Sequence, residues 1–196
     1  MAITLGGAPQ QSVNELKNAM DWFSDHKSKA TAARSLLDAT GGSQNIAHKI
    51  FNLDRDKIIG KKGLAAAQMV GWRYVIKDDA NQFHVAEVGA NEKDNTHAFN
   101  SFNQGAHLNS FLTHFNDFGQ NELLQGKDYE LNILRIPSCF VMAIWLKEKS
   151  HNDLFIPLDP IQNGFTAGKT YNTADFMKII EGLAAESAKQ VDRDSK

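Results

Sequence analysis

The chain has 196 residues, 42% of them hydrophobic and 22% charged, with 21 Lys and Arg against 23 Asp and Glu for a formal charge of −2. That balance excludes a disordered chain, a collagen-like repeat and a disulfide-stapled miniprotein. It also gives no net attraction to nucleic acid, whose phosphates demand a concentrated basic surface.

The chain divides into a flexible lead-in over residues 1–11, a single α+β domain over 12–191 and a frayed tail over 192–196. The lead-in has neither a basic start nor a long apolar run, so no secretory signal is visible. Ser12 and Glu15 form a capping box, and Leu16, Ala19, Met20 and Phe23 follow at helical spacing. Ala30 and Leu37 extend that stripe, predicting a helix to residue 38 that stops at Gly41-Gly42. A second helix is predicted from Ser43, because Ile46, Ile50 and Leu53 recur at i, i+4, i+7 beside Ala47 and Phe51. Lys57, Lys61 and Lys62 read as a helix end or a solvated turn.

Residues 68–77 and 82–88 are rich in β-branched and aromatic side chains and are separated by a turn cluster, which predicts a hairpin. The Asn-rich stretch 91–105 reads as a loop anchored by Phe99 and Phe102. A third helix follows over 106–124, with Leu108, Phe111, Leu112, Phe115 and Phe118 as its apolar stripe.

Strands are predicted over 129–136 and 139–146, joined by a turn at Pro137. The second has Phe140, Met142, Ile144 and Leu146 on one side and Val141, Ala143 and Trp145 on the other, so both its faces are expected to be covered. Asn132, Arg135, Pro137 and Ser138 interrupt this apolar segment, which argues for buried strands rather than a membrane span. A further strand covers 154–158, and a last helix from Asn172 or Thr173 turns Phe176, Ile179, Ile180 and Leu183 inward. The expected architecture is α+β: a mainly antiparallel sheet of about five strands packed by about four helices.

Several motifs dissolve on inspection. Gly164, Gly168, Lys169 and Thr170 leave three residues between the glycines where a phosphate loop needs four. Asn52, Asp54 and Asp56 match the start of a calcium loop, but Lys57 stands at its glycine and Gly63 at its bidentate glutamate. His107 and His114 are seven apart, about 10 Å along a helix, too far to share one ion; no metal and no cofactor is expected. His84 and Glu87 are three apart on a strand and so point to opposite faces.

Two functional readings remain. The leading one is a soluble, cytoplasmic, non-catalytic binding or accessory protein, taking a small polar ligand, a protein partner or a second copy of the chain. Its candidate binding residues are Phe111, His107 and His114 on the third helix, where aromatic walls alternate with Asn109 and Asn116, and the aromatic–basic pair Trp72 and Arg73. The alternative is a small hydrolase with Cys139 or Ser138 as nucleophile, a histidine such as His114 as base, and Asp117 as a further catalytic candidate. Cys139 is the sole cysteine, which is why no disulfide and no oxidising compartment is implied.

Overall fold

The computed structural model describes residues 2–25, 46–77, 81–91 and 93–194. Two antiparallel meanders make up most of the sheet. The first is β2 (Ile46–Asn52), β3 (Gln68–Lys77), β4 (Phe83–Asn91) and β5 (Thr96–Asn103). The second is β6 (Asp128–Ile136), β7 (Val141–Glu148), β8 (Leu154–Pro157) and the two-residue β9 (Tyr171–Asn172). A parallel pairing of β2 with β6 joins them, and β1 (Ala2–Leu5) also runs parallel to β6. β1 lies against Asp128–Leu131 and β2 against Asn132–Arg135, so the two strands sit end to end along one side of β6.

The result is a nine-stranded mixed sheet, which corrects the expected five-stranded, mainly antiparallel one; the α+β class stands. The first meander contributes two unexpected strands. Residues 46–52, predicted helical, extend as β2 because both their edges find backbone partners, in β3 and in β6. Residues 96–103, predicted as loop, pair with β4 through a bulge, and the extra residue puts Phe99 and Phe102 on one face despite their odd spacing. The expected lead-in supplies β1, tied down by Ala2 N donating to Asp128 Oδ1 at 2.9 Å.

Four α-helices are present among the described residues: α1 (Gln10–Asp25), α2 (Arg55–Ile59), α3 (Ala106–Asp117) and α4 (Thr173–Asp194). α1 starts two residues before the predicted cap. Ser12 lies inside it, fully buried, and its hydroxyl accepts from Tyr74 Oη at 2.7 Å. The predicted extension of this helix through Ala30 and Leu37, the Gly41-Gly42 stop and the Ser43 start lie outside the described residues. α3 ends at Asp117 and passes into 3-10 turns rather than continuing to 124. α4 is helical to Asp194, past the point where fraying was expected, and Asn172 caps it by accepting from Asp175 N at 2.8 Å. None of the helices is long and apolar enough to cross a membrane, among the described residues.

Strand alternation sorts the core into three clusters. On one face, α1 covers Trp72, Tyr74, Ile76, Ala86 and Val88. On the same face, α4 and α2 cover Leu134, Val141, Ala143, Trp145 and Phe155. On the opposite face, α3 packs Leu108 and Phe111 onto Val75, Val85, Ile133, Ile144 and Ile156. β7 is therefore covered on both sides, as its composition predicts. Phe140 departs from that pattern: it is 80% exposed in a left-handed turn (φ 52°) after the 3-10 turn Pro137–Cys139. Close strand approach explains Gly71, where an added Cβ would meet the Val88 carbonyl oxygen at 2.4 Å.

Candidate functional site

The face under α3 carries charge as well as apolar side chains. Arg73 on β3 stands directly opposite Glu87 on β4, in the register that places both on this face. Arg73 is 5% and Glu87 8% exposed. Arg73 Nε and Nη2 donate to Glu87 Oε1 at 2.9 and 2.7 Å, and Arg135 Nη2, arriving from β6, donates to the same oxygen. The remaining Arg73 nitrogen, Nη1, donates to Met142 Sδ at 3.3 Å, a weak acceptor for a guanidinium.

A cavity of about 380 Å³ opens over this cluster. Its walls are Arg73, Glu87 and Arg135 below, and the segment 103–108, which enters α3, above. Gly105 precedes α3 and provides no side-chain cap; Leu108 N and Asn109 N donate to its carbonyl oxygen, which leaves the amides of Ala106 and His107 as the donors of the first turn at the cavity rim. The helix dipole adds partial positive charge there.

Two guanidinium groups face one carboxylate. Burial pushes Glu87 up, but Arg73 and Arg135 outweigh it through charge and hydrogen bonds, and the carboxyl is held below its ordinary value. Burial pulls Arg73 down, opposed by Glu87, and a guanidinium remains charged at neutral pH. His48, opposite Arg73 on β2, is fully buried and has no hydrogen-bond partner at either ring nitrogen. Burial first, then Arg73 and Arg135, lower its pKa well below the ordinary value, so it is neutral. Burial and Arg73 likewise lower His107, against a hydrogen bond with the Asp159 backbone. The cluster therefore carries a net charge of +1 at neutral pH. Family models, curated proteins and solved structures give no match to this chain.

Of the predicted binding residues, the fold brings Arg73 and His107 together at the cavity. Phe111 lies behind them, stacked on His48 with ring centroids 5.1 Å apart. His114 sits further along α3, half-buried, where desolvation lowers its pKa against the fields of Asp159 and Asp117. Trp72 packs on the opposite face under α1, with Lys49 Nζ 6.0 Å from its ring centre. His84 and Glu87 point to opposite faces, His84 stacking on Phe102 at 5.0 Å.

Cys139 joins the cluster under α4, 5% exposed, on the other side of the sheet from His107 and His114. Its thiol contacts Ser138 Oγ at 3.8 Å, and burial raises its pKa. Asp117 is exposed at the end of α3. Native protein is therefore expected to resist iodoacetamide until it unfolds, with alkylation followed by mass spectrometry; labelling as fast as a free thiol would contradict this placement.

Sequence reasoning missed Glu87 and Arg135 as partners of Arg73. A signal was present. Each is an ionisable residue flanked on both sides by apolar neighbours within a strand, Ala86 and Val88 for Glu87 and Leu134 and Ile136 for Arg135, and buried charge is tolerated only when paired.

Proposed function

We propose that the chain is a non-catalytic binding protein whose ligand is a small anion seated between the Arg73–Glu87–Arg135 cluster and the start of α3. What carries this reading is the imbalance of the cluster: two guanidinium groups for one carboxylate, beside a cavity rather than beside a second carboxylate. Arginine and helix amides are the groups that anion recognition uses most readily. The mixed surface charge and the sole, buried thiol support a soluble protein of the cytoplasm.

Titration of the full chain with propionate and inorganic phosphate at low ionic strength, followed by amide chemical shifts, tests the reading. Saturable shifts are expected at residues 105–108, with dissociation constants of about 10 mM or tighter. Arg135→Met, which keeps the stem length and removes the charge, should weaken binding by about tenfold or more. Absence of saturable shifts with either anion would overturn it.

A further inference from the structure

The turn between β6 and β7 carries two costs at one residue. Phe140 adopts a left-handed conformation (φ 52°), which a bulky side chain resists and glycine accepts freely, and its ring is 80% exposed. Glycine would make the same turn with neither cost.

α2 lies beside this turn. Asn52 pairs with Arg135, Leu53 N donates to the Arg135 carbonyl oxygen at 2.9 Å, and Ile58 joins Cys139 and Val141 in one buried cluster. Ile59, the next residue, is 52% exposed. Residues 54–62 carry Arg55, Lys57, Lys61 and Lys62 against Asp54 and Asp56, a local surplus of positive charge in a chain whose formal charge is −2. Asp56 lies 3.8 Å from Arg55, whereas Lys57, Lys61 and Lys62 pair with no carboxylate among the described residues. None of these residues lines the Arg73 cavity.

Two exposed apolar side chains thus stand among unpaired ammonium groups at one end of the sheet. A second copy of the chain would set like charges against each other across a two-fold axis. An acidic protein face would answer the charge but must already hold a pocket for a ring that stands clear of its own fold. An anionic leaflet supplies both, headgroups for the lysines and an acyl boundary for the aromatic ring. We propose that this end of the sheet docks on anionic membrane surfaces, Phe140 entering the boundary beside Ile59 while Lys57, Lys61 and Lys62 meet the headgroups.

Co-sedimentation of the full chain with lipid vesicles at about 0.1 M salt tests the proposal. Vesicles of phosphatidylcholine with about 30% phosphatidylserine are expected to bind it at least about fivefold more strongly than phosphatidylcholine alone. Phe140→Gly should weaken that binding by about tenfold or more while leaving the melting temperature unchanged or raised. Replacing Lys61 and Lys62 together by Glu should abolish the preference for phosphatidylserine. No binding to the anionic vesicles, equal binding to both kinds, or unaltered binding by either variant overturns the proposal. So does a melting temperature lowered by more than about 4 °C in Phe140→Gly, which would give the ring to the fold. Phe140-dependent dimerisation without vesicles, read by sedimentation equilibrium, would give the patch to a second copy and overturn the lipid assignment.

Discussion

Glu87→Gln is expected to lower the free energy of unfolding by about 3–5 kcal/mol, the range for breaking a buried ion pair from one side. The amide keeps the shape of the carboxylate but leaves Arg73 and Arg135 facing each other without a counter-charge, and Arg73 is too deeply buried to turn out to solvent. Urea denaturation at neutral pH measures the loss. Replacing Arg73, Glu87 and Arg135 together by apolar residues of similar size should cost far less than Glu87→Gln alone, because no orphaned charge then remains in the cluster. A loss below about 1 kcal/mol for Glu87→Gln would mean that the triad is dispensable for stability. The acid limb carries the same information. The Glu87 carboxyl is held below its ordinary value of 4.5, so its contribution is complete above that pH and disappears as pH falls through the lowered folded value.

His48 governs an earlier part of the pH profile. Its imidazole is neutral in the folded chain and regains an ordinary pKa near 6.5 on unfolding. Below that pH the unfolded state binds a proton that the native state refuses, so stability falls as pH falls, by up to about 1.4 kcal/mol per pH unit from this residue. His107 and His114 act in the same direction, more weakly because each is only half-buried. His48→Leu removes two unpartnered nitrogens while preserving contact with Phe111. It is expected to be within about 1 kcal/mol of the parent at neutral pH and clearly more stable relative to it below pH 6. Thermal melts across that range decide the matter; parallel profiles for parent and variant would exclude His48 as the source.

The elements read correctly from the chain are those whose pattern had a local cause. β3, β4, β6, β7 and β8 are dense in β-branched and aromatic residues, and α3 and α4 carry unbroken apolar stripes at helical spacing. β2 defeated that reading because its apolar residues satisfy both periods. Ile46 and Ile50 are four apart, which suits a helix, yet His48 between them completes an alternating strand face. The deciding influence is β6, some eighty residues later, and no local window contains it. β5 was hidden by asparagines and by the bulge that shifts its aromatic anchors into register. The site follows the same division. Arg73 and His107 could be singled out on residue type, but Glu87 and Arg135 became meaningful only once β4 and β6 were placed on either side of the β2–β3 pair.

The junction at β6 also bears on how the molecule comes together. Each meander closes through neighbouring hairpins, a fast and local process, whereas zipping β2 to β6 must first gather a long intervening span of chain. Arg73 and Glu87 belong to the earlier half, while Arg135 and Met142 belong to the later one. The cavity over Arg73, Glu87 and Arg135 thus straddles the seam between the two halves, and an anion that binds only when they are joined would stabilise that seam by an amount that grows with the logarithm of its concentration.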